Sequence, residues 1–122
     1  MSKQISFTKH GNQVLPHFRE RISKAESTED VKKFFIYTTR ELFEGVFAGE
    51  LELDYEDVAL TPQSSPHFAL SARLLADARF AASWYDSDLP TILGHLADTA
   101  VKRYTHLEKN PAKSQSKIRM QS

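Results

Sequence analysis

The stretch STEDVKKFFIYTTRELFEGVFAG, residues 27–49, carries the strongest helical pattern in the chain. Ser27 is a residue type that caps helices, because its hydroxyl accepts a hydrogen bond from a free N–H of the first turn. Gly49 is a natural stop, since glycine adopts the left-handed conformation at little cost. Between these ends, apolar residues recur every three or four positions on a main stripe and a second flank, and they include Val31, Phe34, Phe35, Ile36, Leu42, Phe43, Val46 and Phe47. The pattern predicts one long helix that is more than half buried.

Three further segments show helical spacing and predict three more helices. The first begins near Pro16, a residue suited to a first helical turn, and the second follows Ser65-Pro66. The third starts within residues 87–90 and runs to about Lys109, before Asn110-Pro111. In the helix after Pro66, we expect the core face to consist of Leu74, Leu75, Ala78, Ala82 and Tyr85.

Two short segments alternate apolar and polar residues, which is the period of a half-buried strand. Residues 3–8 precede the turn-like His10-Gly11-Asn12, and residues 50–56 alternate Leu51, Leu53 and Tyr55 with acids. Two interpretations stay open: either these segments form a short two-stranded β pair, or residues 53–60 make a short helical turn inside a long loop. In both, we predict a mainly α fold, a four-helix bundle.

The length of 122 residues fits one ordinary domain. Residues 1–110 hold every periodic segment, so we expect them to form a single helical domain. Residues 111–122 show no apolar periodicity, and we expect a disordered basic tail there.

Composition excludes several classes of function. Sixteen basic and sixteen acidic side chains cancel, so net charge favours neither a nucleic acid nor a membrane as partner. The absence of cysteine excludes thiol catalysis and disulfides, and it suits a reducing compartment. No run approaches the roughly 20 apolar residues of a membrane span, and residues 1–6 lack the apolar core of a signal peptide. We expect a cytoplasmic protein.

Catalytic signatures are missing from the sequence. The four glycines are not spaced as a phosphate-binding loop requires, and no G-x-S-x-G or H-E-x-x-H motif occurs. Three pairs of potential metal ligands have helical spacing, namely His17 with Glu20, Glu41 with Glu44, and His95 with Asp98. Each pair lies off the apolar stripe of its helix, as solvated faces do, so we expect no enzyme, cofactor or metal. A small metal-binding bundle is the third-ranked alternative.

Charged residues cluster in two places. One is an acidic patch that we expect to lie on a surface strand or loop, consisting of Glu50, Glu52, Asp54, Glu56 and Asp57. The other is the basic tail with Lys109, Lys113, Lys117 and Arg119. A basic tail can bind phosphates through counterion release, and a nucleic-acid-associated protein is therefore the second-ranked function.

Apolar side chains exceed what one inner face per helix can bury. Phe80 and Trp84 lie one turn apart and off the predicted core face, and Phe43 and Phe47 lie on the second flank of the helix at residues 27–49. Aromatic side chains left outside a core are typical of protein interfaces. We therefore expect a non-enzymatic interaction module, an adaptor or regulator that forms a homodimer, with these four aromatic residues in the interface.

Overall fold

A computed structural model describes residues 6–109 of the chain. Within these residues the fold is mainly helical with one short β pair, which confirms the predicted class. The helices are α1 (Thr8–Lys24), α2 (Thr28–Val46), α3 (Ala72–Ala76), α4 (Ala78–Tyr85) and α5 (Leu89–Lys109). A 3-10 turn (Tyr55–Asp57) precedes strands β1 (Val58–Leu60) and β2 (Phe68–Leu70). The predicted boundary at residue 110 and the tail at 111–122 lie outside the described residues.

The three long helices α1, α2 and α5 pack against one another in pairs and enclose most of the core. Ser27 caps α2 as expected, since its Oγ accepts a hydrogen bond from the Asp30 backbone N–H at 3.1 Å. After α2, Ala48 and Gly49 take positive φ values of 52° and 76°, and the helix ends there. The bounds of α5 and α2 follow the sequence pattern closely. The core residues from these helices include Phe18, Ile22, Val31, Phe35, Leu42, Leu93, Leu96 and Ala100.

The predicted strand at residues 3–8 is wrong where it can be compared, because Ser6 and Phe7 are not in a strand and Thr8 already begins α1. Residues 3–5 lie outside the described residues. Gly11 is part of the helix instead of a turn, and it is buried against α5. A Cβ at Gly11 would lie 2.9 Å from Cγ2 of Ile92, so the missing side chain lets the two helices approach closely. Pro16 therefore lies inside α1, not at its start.

The predicted strand at residues 50–56 is also wrong, and the alternative of a helical turn within 53–60 describes the region better. The β pair forms later in the chain. β1 and β2 are antiparallel, with Ala59 opposite Ala69. Val58 and Leu60 point into the core, whereas Ala59 is exposed. This alternation spans only three residues, too few to stand out in the sequence.

The helix predicted after Pro66 is instead divided into strand β2 and two short helices, α3 and α4. Ser71 and Asp77 each cap a new helix, since their side chains accept hydrogen bonds from the N–H groups of Leu74 and Phe80. Asp77 has extended backbone angles, φ −71° and ψ 119°, which end α3 and begin α4. Because the helical phase restarts at residue 78, Leu74 is the one member of the predicted core face that is buried, whereas Leu75, Ala78, Ala82 and Tyr85 are exposed.

Candidate interaction groove

The four aromatic side chains predicted for the interface lie inside the chain, and the expectation that they are exposed on a monomer is wrong. Phe80 and Phe43 are 0% exposed, Phe47 is 6% and Trp84 is 8%. The Phe80 ring lies 5.4 Å from those of Phe43 and Trp84 and 5.7 Å from that of Phe47, measured between centroids. Edge-to-face and offset ring pairs at such distances stabilise a core. The break at Asp77 turns Phe80 and Trp84 inward, where Phe80 meets Phe43 of α2 and Trp84 stacks on Phe80.

A different apolar surface appears beside these buried rings. It is an open groove of about 510 Å³ between β2, α3, α4 and the start of α5. We call it the interaction groove, and it is lined by Pro66, Phe68, Leu70, Leu75, Trp84, Tyr85, Pro90, Thr91 and Gly94. None of these residues carries a charge.

Two residues at the interaction groove leave large apolar side chains in water. Tyr85 is 73% exposed, and Leu75 is 37% exposed. The sequence pattern predicts both as core residues, because its helical spacing continues across Asp77 without a visible break. The signal that could have found them is the capping potential of Ser71 and Asp77, each of which precedes an apolar residue by three positions.

Trp84 connects the groove to the core. Its ring stacks on Phe80 with an interplanar angle of 21°, and it meets the Phe68 ring edge-on at 5.9 Å. Phe68 and Leu70 are half-buried and belong to β2. One wall of the groove is thus a strand, and its aromatic lining is held in place by the core.

Asp57 fixes α3 relative to β1. Its carboxylate, 3% exposed, pairs with the Arg73 guanidinium and accepts hydrogen bonds from Ser71 Oγ at 2.6 Å and the Asp54 N–H at 2.8 Å. Burial alone would raise the pKa of Asp57, but the hydrogen bonds from Arg73, Ser71 and Asp54 outweigh burial and hold the pKa below its usual value. Asp57 is therefore a buried structural carboxylate, and its inclusion in a surface acidic patch is wrong.

The rest of the acidic patch is partly neutralised within the chain. Arg73 also reaches Asp54, with a nitrogen–oxygen distance of 3.7 Å. Arg79 Nη1 lies 3.5 Å from Glu50 and donates to the Glu50 carbonyl at 3.1 Å. Glu52 and Glu56 are exposed. Arg73 of α3 and Arg79 of α4 thus form ion pairs with two of these acidic residues.

Asp88 holds the N-terminal end of α1 beside the start of α5. It accepts hydrogen bonds from the Phe7 backbone N–H at 2.7 Å and from the hydroxyls of Ser6 and Thr8, both at 2.9 Å. Burial opposes ionisation of Asp88, but these hydrogen bonds prevail and lower its pKa. We call these three hydrogen bonds the Asp88 clamp. They hold the N-terminal end of α5, where Pro90 and Thr91 line the interaction groove.

The predicted ligand pairs do not converge. His17 accepts from Arg21 Nε at 3.2 Å, and Glu20 pairs with Lys24 at 3.1 Å, a contact that lowers the Glu20 pKa. The remaining four side chains, Glu41, Glu44, His95 and Asp98, are all exposed. Glu41 lies 3.7 Å from Arg21, and Asp98 lies 4.0 Å from His67, so each of these two meets a residue outside its predicted pair. Among residues 6–109, no three His, Asp or Glu side chains are grouped closely enough to hold a metal ion.

Of the predicted basic tail, the described residues include Lys109, the exposed last residue of α5. Lys113, Lys117 and Arg119 lie outside them. None of the helices within residues 6–109 combines the length and apolar character that a membrane crossing requires.

Comparisons with protein-family models, curated proteins and solved structures gave no match to this chain. Its function is therefore argued from its own residues.

Proposed function

We propose that this chain is a non-enzymatic interaction module, an adaptor or regulator, and that it acts as a homodimer through the interaction groove. The observation that carries the proposal is the uncharged lining of the groove together with the exposure of Tyr85 and Leu75 at its edge. Contiguous apolar surface on a folded chain is typical of a binding site.

The chemistry of the groove favours a protein over a small substrate. A small-molecule site usually combines apolar walls with a few convergent polar groups that orient the ligand. Here the side-chain polar atoms of the lining are the hydroxyls of Thr91 and Tyr85 and the indole N–H of Trp84. Tyrosine, tryptophan and phenylalanine are enriched where proteins meet, which fits the rest of the lining.

A second copy of the chain is the occupant we propose. The groove presents both a concave apolar surface and a protruding apolar side chain, Tyr85, as a self-complementary two-fold contact needs. The lack of cysteine suits the reducing cytoplasm, where we expect the protein to act. The nucleic-acid alternative stays a prediction, since most of the basic tail lies outside the described residues.

Sedimentation equilibrium of three chains tests the proposal. The wild type is expected to be dimeric at micromolar concentration, and Tyr85→Ser is expected to raise the dimer dissociation constant by about tenfold or more, as loss of an aromatic side chain buried in an interface does. Tyr55→Ser is the matched control, because Tyr55 is an exposed tyrosine away from the groove, 45% exposed. Trp84 is the only tryptophan of the chain and lines the groove, so its fluorescence should change with dimerisation.

A wild type that stays monomeric at high micromolar concentration would contradict the homodimer. Equal weakening by Tyr85→Ser and Tyr55→Ser would show that association does not use the groove.

A further inference from the structure

The β pair leaves one strand edge open at the interaction groove. The N–H of Thr61 donates to the His67 carbonyl at 2.7 Å, and the N–H of Ser71 donates to the Asp57 carbonyl at 2.8 Å. Odd-numbered residues of β2 therefore face β1, and the backbone groups of Phe68 and Leu70 face the other way, because the direction alternates along an antiparallel strand. No described residue donates to or accepts from these outward groups.

The opposite strand does not share this exposure. Val58 and Leu60, whose backbone groups face away from β2, are only 2% and 5% exposed, and β1 contacts α2 and α5. β2 is the outer strand, and its two outward residues both line the interaction groove. A chain that adds to this edge would place its own side chains beside Leu75 and Tyr85.

We propose that β2 pairs antiparallel with β2 of a second copy, across a two-fold axis beside Ala69. This proposal rests on the homodimer proposed above and adds its geometry. With Phe68 opposite Leu70 of the second copy, and Leu70 opposite Phe68, each pair exchanges two backbone hydrogen bonds. Four bonds form, and they satisfy all four outward groups of each strand segment. Proline at position 66 has no N–H to donate, which ends the pairing there.

The charge distribution fits self-pairing. Antiparallel pairing of identical strands places Ala69 opposite its own copy and its neighbours opposite other residues of the same strand, and like charges directly opposite one another are destabilising. Residues 58–72 contain no Asp, Glu, Lys or Arg. Natural proteins commonly protect free edges with charged residues, lysine above all, and β2 has no such protection. Phe68 and Leu70 from both copies would form one continuous apolar row on the groove side.

Cysteine cross-linking tests the pairing directly, because the chain contains no cysteine of its own. Residue 69 and its copy would form a non-hydrogen-bonded pair with Cα atoms about 4.5 Å apart, within the range of a disulfide. Ala69→Cys is therefore expected to give a disulfide-linked dimer under mild oxidation. Ala59→Cys is the matched control, since Ala59 is the exposed cross-strand neighbour of Ala69. The two copies of residue 59 would lie three strand spacings apart, about 14 Å, too far to be linked.

Charge at the same two positions gives a second test that leaves the monomer intact, because both alanines are exposed. Ala69→Glu places two carboxylates across the axis and is expected to raise the dimer dissociation constant at least about tenfold. Ala59→Glu is expected to change it by less than about twofold, since the two charges stay beyond a Debye length.

The outcomes separate this inference from the function on which it rests. A dimer that Tyr85→Ser weakens, but that Ala69→Cys fails to cross-link, overturns the strand pairing and leaves the homodimer standing. Equal cross-linking of Ala69→Cys and Ala59→Cys also overturns the pairing. If the chain dimerises only after removal of residues 110–122, the chain's own tail occupies this edge, and the pairing is overturned as well.

Discussion

The long-helix core (α1, α2 and α5) and residues 50–85 both bury aromatic and aliphatic side chains, but their sequences specify structure differently. In α2 and α5, the apolar residues keep one helical phase along helices of 19 and 21 residues. Between residues 50 and 85, elements of three to eight residues follow one another, and polar side chains decide where each begins. In this region, side-chain caps and a buried carboxylate thus determine where each element begins and ends, whereas apolar periodicity determines this in the long helices.

The largest expected effect on the free energy of unfolding comes from a substitution that tests whether residues 50–85 share the core of the long helices. Phe80→Ala removes a fully buried ring that contacts Phe43, Phe47 and Trp84. We expect it to lower the free energy of unfolding by about 3–5 kcal/mol, as for other buried aromatic residues. Urea denaturation followed by circular dichroism measures this. A loss below about 1 kcal/mol would show that α4 packs only loosely on the long helices.

The next effect concerns the carboxylate that organises the short elements. Asp57→Asn weakens the pairing with Arg73 and the hydrogen bonds from Ser71 and Asp54, and we expect a loss of about 1–3 kcal/mol at pH 7. Because the folded-state pKa of Asp57 is lowered, its stabilisation is complete above the unfolded pKa of about 4 and is lost as pH falls through the folded pKa.

The pH dependence supplies the control for that prediction. The difference between wild type and Asp57→Asn should shrink as the pH of the urea titration falls below about 4. Asp54→Asn, at an exposed partner of the same arginine, should change stability much less. A difference that does not depend on pH would mean that Asp57 acts through its shape and not through its charge.

A smaller loss of stability is expected when the helix N-caps are removed. Asp77→Ala and Ser27→Ala each remove one side-chain hydrogen bond to a helix N-terminus, and each should cost about 1 kcal/mol. Thermal unfolding of the two variants beside the wild type measures both costs. If Asp77→Ala instead stabilises the chain, residues 72–85 prefer one continuous helix and Asp77 only interrupts it.

The smallest effect is expected at the groove surface. Tyr85→Ser should change the stability of the monomer by less than about 0.5 kcal/mol, because the side chain is 73% exposed. Measurement at a concentration below the dimer dissociation constant isolates this term. A large loss would place Tyr85 in the fold and would remove it from the proposed interface.

The sequence could predict the long helices, because their apolar residues recur at a regular helical spacing. The bounds of α2 and α5 and the buried faces of α1, α2 and α5 follow from spacing and caps alone. The start of α1 could not, because His10-Gly11-Asn12 has the composition of a turn, and only packing against Ile92 explains a buried glycine in a helix. The groove could not either: it depends on a three-residue strand and on the helix break at Asp77, which together reverse the predicted roles of Phe80 and Tyr85.

The Asp88 clamp has a consequence for the order in which this chain can complete its structure. Asp88 lies 81 residues after Phe7, whose backbone N–H it binds. At synthesis rates of about 5–20 residues per second, Phe7 leaves the ribosome about 4–16 s before Asp88 does. Helix formation itself takes about a microsecond or less. The first turn of α1 can therefore form seconds before the side chain that fixes it has been made, and this contact closes only after Asp88 has left the ribosome.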